Sequence, residues 1–243
     1  MIIKATDLTT KFGDRVIHDG LNFYVNEAEI YGLLGGSGTG KSTLMKTMIY
    51  LKEPSGGKVE MLGRDLWSLD EAARQEIKLA CSVMFQFGAL YTSMNVLENI
   101  YILLKEYSGM SERSMREIAM FWLQKVGLSE NVALQYPSEL SGGMKKRVAM
   151  ARALVLSPKI LFLDEPNSGL DPSSARAFDE LVVELRDTLG VTVVMVTHDI
   201  DSICTILDRF LILQDKKIAF EGTFEQLMQM PENPLEELLK TRK

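Results

Sequence analysis

The sequence predicts an α/β fold on a largely parallel sheet, with a helical segment inserted into it, and three observations lead there. Short β-branched or alternating runs recur along the chain, separated by longer segments that carry helix start and stop signals. A glycine-rich loop from Gly35 to Ser42 stands between an apolar run and a helical stretch, the context in which such loops bind phosphate. From about residue 87 to 157 the strand–helix rhythm gives way to helical periodicity with no convincing strand.

Taken in order, strand signals fall at Ile2 to Leu8, Leu21 to Val25, Glu29 to Leu34, Lys58 to Leu62 and Ser82 to Gln86, then at Ile160 to Asp164, Thr192 to Thr197, Phe210 to Leu213 and Lys217 to Phe220. Ser68 and Glu71 have capping-box spacing ahead of an Ala/Glu/Lys-rich helix. Inside the insertion, helical periodicity covers Val96 to Tyr107, Glu112 to Val126 and Lys145 to Leu156. Asp171-Pro172 opens a further helix that closes at Gly190, with a polar cap, proline in the first turn and glycine past the end. Pro231 and Pro234 suggest a short tail. The expected organisation is a single domain over 1–243: a core from 1–86 and 158–230, a helical subdomain over 87–157, and a tail over 231–243.

Composition narrows the partners. Hydrophobic residues make up 46% and charged residues 25%, so the chain should be folded nearly throughout. The net charge of −6 repels phosphate backbones and anionic headgroups, which argues against a nucleic-acid partner. Cys81 and Cys204 lie far apart and outside any ligand spacing, so they read as two buried, free thiols of a reduced compartment. Met1 to Asp7 meets charge at once and has no apolar stretch of a secretory signal. No apolar run approaches the roughly 18 residues of a spanning helix. Work at a membrane would proceed by binding something already there.

Gly35-Gly36-Ser37-Gly38-Thr39-Gly40-Lys41-Ser42 fits the phosphate-loop pattern. Its glycines let backbone N–H groups point inward as an anion nest, and the helix that follows adds positive potential. Lys41 reaches the β- and γ-phosphates, Ser42 supplies a hydroxyl to Mg²⁺, and Thr43 continues the nucleotide site into the helix. Ile160 to Asp164, followed by Glu165, is an apolar strand ending in two carboxylates. Asp164 is placed to hold Mg²⁺, and Glu165, one residue farther out, to activate water as a general base. An Asp-Glu pair after a strand can also be a plain turn or cap, but the phosphate loop in the same chain favours the chemical reading.

Leu140-Ser141-Gly142-Gly143-Met144 strongly resembles the signature motif of ABC ATPases, and its chemistry is that of a second anion site at a helix start. The resemblance covers essentially residues 2 to 230. It implies a P-loop NTPase (RecA-like) ABC nucleotide-binding domain with an antiparallel β subdomain and an inserted helical subdomain. It implies ATP and Mg²⁺ as ligands, and a homodimer in which Ser141, Gly142 and Gly143 close on the γ-phosphate held by the partner chain. Gln86 corresponds to the family's Q-loop glutamine near Mg²⁺, Ser168 to Asp171 to the D-loop, and His198 to the γ-phosphate contact. Phe12 stands where the family usually has a Tyr stacking on adenine. His18 has no such context and reads as an ordinary surface or turn residue, and Lys145-Lys146-Arg147 as a solvated helix face.

A narrower likeness joins Met84 to Tyr91, Met94 to Val96 and Pro137 to Met144 to the ATPases of the Mla/Mce lipid-transport systems, in which a Met at the fifth signature position is usual. Asp215 to Ile218 before Gly222, and Asn233-Pro234, add to it. This implies ATP-driven movement of phospholipids between envelope membranes from the cytoplasmic face of the inner membrane. Integral-membrane permease subunits would dock along Phe87 to Val96, with an Mce-domain protein and a STAS-domain subunit as further partners. An ABC ATPase serving another solute keeps the enzyme and changes the cargo. A soluble ABC protein of translation or repair would carry two cassettes or a long coiled-coil insertion, which this chain lacks, and a P-loop kinase leaves the second glycine motif unexplained.

Overall fold

The computed structural model describes residues 1–231 and Pro234; the rest of the tail, Asn233 included, lies outside the described residues. Two long strands open the chain, β1 (Ile3–Phe12) and β2 (Arg15–Val25). They pair antiparallel with Phe12 opposite Arg15 at the hairpin end. After β3 (Ile30–Gly35) and α1 (Lys41–Met48), β4 (Gly56–Met61) and the short β5 (Arg64–Asp65) complete a four-stranded sheet in the order β2-β1-β4-β5. This is the antiparallel sheet that the resemblance implies.

Helix α2 (Glu71–Ala80) leads into β6 (Cys81–Met84), and α3 (Val96–Tyr107), α4 (Glu112–Lys125) and α5 (Gly142–Leu154) follow without an intervening strand. Then come β7 (Ile160–Asp164), α6 (Pro172–Leu189), β8 (Thr192–Val196), α7 (Ile200–Thr205), β9 (Arg209–Gln214), β10 (Lys217–Gly222) and α8 (Phe224–Met228). The second sheet runs β10-β9-β3-β8-β7-β6; every pair is parallel except β10 with β9.

A parallel sheet covered on both faces needs strands that are apolar throughout, with alternate residues facing opposite ways. Along β7, Ile160 and Phe162 join one core while Leu161 and Leu163 join the other. In β8, Val194 and Val196 divide from Val193 and Met195, and in β9 Leu211 and Leu213 from Phe210 and Ile212. One core is shared with α1 and the antiparallel sheet; the other is shared with α3, α4, α5 and α6. The sheet is thus the common wall between a β layer and a helical layer.

Several element ends move. β1 and β2 extend through Thr9 to Phe12 and Arg15 to Gly20, beyond the strand signals at Ile2 to Leu8 and Leu21 to Val25, because a twisted hairpin with register shifts keeps pairing them. The cap of α2 is Asp70, whose side chain accepts from the Ala73 N–H at 2.8 Å, while Ser68 sits in the preceding 3₁₀ turn. Asn95 with Glu98 forms a complete capping box on α3, and Gly190 closes α6 in the left-handed conformation. The thiols divide: Cys81 is partly buried, with its ionisation pushed up to about 12 by burial, whereas Cys204 is exposed, because its position on the short α7 faces outward.

Candidate active site

Parallel strands end on one edge of their sheet, and residues just past those ends are neighbours in space whatever their separation in sequence. The phosphate loop follows β3, Glu165 follows β7, Gln86 lies two residues past β6, and His198 lies two past β8. All four strands share the sheet, so these groups converge.

The loop holds its shape by its own bonds. The Thr39 hydroxyl donates to Gly36 O at 2.9 Å, and Lys41 turns its ammonium back onto Gly35 O and Gly36 O at 2.8 and 2.9 Å. Gly40, at φ 103°, leads into α1 in a conformation that L-residues rarely adopt, and a Cβ there would collide with the His18 ring. His18 is therefore not a surface residue. It is fully buried, its Nδ1 lies 2.7 Å from the Thr10 hydroxyl, and burial pushes its pKa down to about 4. The imidazole is part of the floor beneath the loop.

Glu165 leaves β7 by a backbone turn at φ 47°, a strained value for a residue with a side chain, fixed by its N–H donating to Val196 O at 2.9 Å. Its carboxylate bridges two neighbours: Gln86 Nε2 donates to Oε2 at 3.1 Å, and His198 Nδ1 lies 3.2 Å from Oε1. Asp164, one residue back, has its pKa raised by burial and by the adjacent Glu165 charge. Burial lowers that of Lys41, against the pull of Glu165 and Asp164.

A cleft of about 670 Å³ runs from the hairpin end to these groups, lined by Phe12, Arg15, the loop from Gly35 to Gly38 with Gly40 to Thr43, Glu165 and His198. The Phe12 ring is 54% exposed, with Lys52 Nζ 5.0 Å from its centroid, so it is a cleft wall and not core. A larger cleft of about 860 Å³ lies between α6 and α7 and also touches Glu165, but carboxylates such as Asp179, Glu180 and Asp201 line it. The first carries the phosphate loop with Lys41, and Arg15 beside it.

The donors available for a divalent cation are hard oxygens: the Ser42 hydroxyl, the Asp164 carboxylate, and the carbonyl oxygen of Gln86, whose amide nitrogen is engaged by Glu165. No group of three or more His, Cys, Asp or Glu among the described residues forms a ready-made metal cage. That donor set fits Mg²⁺, which keeps waters and substrate phosphates as its other ligands.

Ser141 caps α5, its hydroxyl accepting from the Met144 N–H at 3.3 Å, with Gly142 and Gly143 in the first turn. None of these three lines the phosphate-loop cleft of its own chain. Asp171 caps α6 through Ser173 and Ser174, which hold its carboxyl well below the usual range. Two of the basic trio after Met144, Lys146 and Arg147, are not on a solvated face. Lys146 is buried against backbone carbonyls after Glu165, and Arg147 donates to Val126 O at 2.6 Å, because the chain folds loops over that side of α5.

The family model described as ABC transporter matches residues 18–168. The chain belongs to the ABC transporter family. As an ABC ATPase it binds and hydrolyses ATP. It is 37% identical to the intermembrane phospholipid transport system ATP-binding protein MlaF of Haemophilus influenzae, over 98% of this chain and 90% of that protein. It is 35% identical to the probable ribonucleotide transport ATP-binding protein mkl of Mycobacterium tuberculosis, over 99% and 67%. Among solved structures it is similar to the ATP-binding cassette MJ0796 in a dimeric post-hydrolysis state bound to ADP and Pi, with TM-score 0.82 and 31% identity over 91% of this chain and 98% of that one. No helix among the described residues is long and apolar enough to cross a membrane.

Sequence reasoning missed Arg15, which enters the cleft because the hairpin pairs it with Phe12. It also missed Asn167, Asp179 and Ser202, whose buried hydrogen bonds tie the loop after Glu165 to α6 and α7. Their partners lie 12 to 35 residues apart, beyond any local signal.

Proposed function

We propose that this chain powers lipid movement between envelope membranes, acting as a homodimer on integral-membrane permease subunits at the cytoplasmic face of the inner membrane. The observation that carries its ATPase role is Glu165 held between Gln86 and His198 at the mouth of the phosphate-loop cleft. In this reading Phe12 stacks on adenine and the Gly35 to Thr43 segment wraps the phosphates. Lys41 exchanges two loop carbonyls for phosphate oxygens. Ser42, Asp164 and Gln86 hold Mg²⁺, which when bound offsets charge on the transferring phosphate. Glu165 takes the proton of the attacking water, with Gln86 and His198 fixing its two oxygens. Ser141, Gly142 and Gly143 complete the partner's site, and Asp171 orders the D-loop at that junction. Residues 87–157 form the helical subdomain that receives the permease, on the core of 1–86 and 158–230.

The phospholipid cargo rests on the MlaF relative and on the stretches 84–91, 94–96 and 137–144. An Mce-domain protein and a STAS-domain subunit belong to the same reading. The similarity to mkl supports a second one, in which the same motor serves another solute. Purification of the native complex with mass spectrometry of its subunits and bound molecules separates the two. Phospholipid with an Mce-domain partner is expected; a solute-type permease without one overturns the lipid assignment.

A further inference from the structure

Helix α5, which starts at Ser141, carries three cations that are held by backbone carbonyls, and two of them, Lys146 and Arg152, reach segments of the candidate site. Lys146 is 6% exposed and donates from Nζ to Ser168 O at 2.7 Å and to Pro166 O, with Glu165 O and the Ser168 hydroxyl at 3.4 Å. Arg152 donates to Ala89 O and Gly88 O at 2.8 and 2.6 Å, and its guanidinium lies 5.8 Å from the Tyr91 ring centroid. Each of these two grips the segment directly after one member of the Glu165–Gln86 pair, and that pair is itself bonded at 3.1 Å. A buried ammonium is costly unless its donors are all used, and here they are spent on a loop rather than on a carboxylate. The Glu165 peptide is therefore clamped from two sides, by Val196 O on its N–H and by Lys146 near its carbonyl. The strained φ of Glu165 needs such a clamp.

We propose that Lys146 is a positioning residue for hydrolysis, through which the helix that begins at Ser141 fixes Glu165 of its own chain. The proposal rests on Glu165 as the group that activates water. With Ser141 engaged on the partner's nucleotide, α5 becomes a rigid strut between one chain's signature end and that chain's own Glu165.

The test measures ATP affinity and single-turnover hydrolysis on the full-length chain in its transporter complex. Lys146→Met keeps side-chain length and removes the charge. It is expected to slow hydrolysis by about tenfold or more, with the ATP Kd changed by less than about threefold. Added to Glu165→Gln, it is expected to cause no further loss, because it acts through Glu165. Lys146→Cys is expected to be equally slow and, once mass spectrometry confirms alkylation by 2-bromoethylamine, to regain rate from the restored ammonium. Wild type treated alike controls for Cys81 and Cys204. Unchanged turnover in the Met or Cys variant, additive losses in the double variant, a Kd rise as large as the rate loss, or no recovery after confirmed alkylation each overturns the proposal. Near-normal turnover of Glu165→Gln alone overturns the Glu165 assignment instead, a result read independently of any Lys146 variant.

Discussion

With Glu165 as the proposed general base, its replacement by Gln is expected to separate ATP binding from ATP chemistry. Glu165 makes two side-chain contacts, with Gln86 Nε2 at 3.1 Å and His198 Nδ1 at 3.2 Å. A glutamine can keep its oxygen on the Gln86 amide and turn its nitrogen to His198, whose tautomer can adjust. At most one hydrogen bond is at stake, about 1 kcal/mol, so ATP affinity should change by no more than roughly tenfold. The amide cannot accept the proton of the attacking water. Loss of a general base costs roughly 10² to 10⁴ in rate, or about 3–5 kcal/mol of barrier. Chemistry then loses far more than binding does. ATP at about 100 times its Kd favours the nucleotide-bound form by roughly 2.7 kcal/mol, so slow hydrolysis should leave a closed dimer long enough to isolate. Size-exclusion chromatography and single-turnover hydrolysis with Mg²⁺-ATP check this. Near-normal turnover would show that another group activates the water, and lost ATP binding would place Glu165 in the structural shell.

Other perturbations test other parts of the site. Phe12→Ala should raise the KM for ATP roughly five- to hundredfold by removing a base-stacking surface, with Phe12→Tyr near wild type in steady-state assays. Chains with Ser141→Arg mixed with chains with Lys41→Ala should recover activity that neither parent has, since one composite site per heterodimer is then intact; crosslinking of Ser141 to the phosphate loop of its own chain would contradict this. His18 is held neutral by burial, with a pKa of about 4 against 6.5 for an ordinary His. Between those values the unfolded chain binds more protons, so stability should be full above pH 6.5 and fall as pH drops toward 4, by about 3 kcal/mol in all. Denaturant titrations of wild type against His18→Gln across that window measure it; parallel curves would refute the buried, neutral assignment.

The chemistry-bearing segments were legible because they are local. A phosphate loop needs its glycines, lysine and hydroxyl within eight residues, and the two carboxylates follow directly on the apolar strand β7. Helix ends were legible where the cap is one residue with one spacing, as at Asp171 and Gly190. At α2 both Ser68 and Asp70 offer caps, and only the path of the 3₁₀ turn before it decides for Asp70. His18 and Lys146 were misread for a common reason. Each is polar on an element whose local pattern leaves that position outward, and each is buried by a segment distant in sequence: the loop at Gly40 over His18, and residues 165–168 over Lys146.

That distinction follows from how a parallel sheet assembles a site. The strands β6, β7, β8 and β3 lie side by side, yet β3 reaches β8 across some 160 residues of chain, as in the pairing of Ile30 with Val193. Motif spacing reveals which residues stand at strand ends, but strand order alone makes those ends neighbours. Gln86, Glu165 and His198 come within 3.2 Å of one another through Glu165 only because β7 lies between β6 and β8. Had β7 been an edge strand, the same three motifs would read identically in sequence, and Glu165 would have one neighbour to orient it instead of two. The side chains that brace this arrangement from behind, Lys146 and Arg152, carry no motif of their own. Their acceptors are backbone carbonyls, which any sequence supplies and only the fold positions.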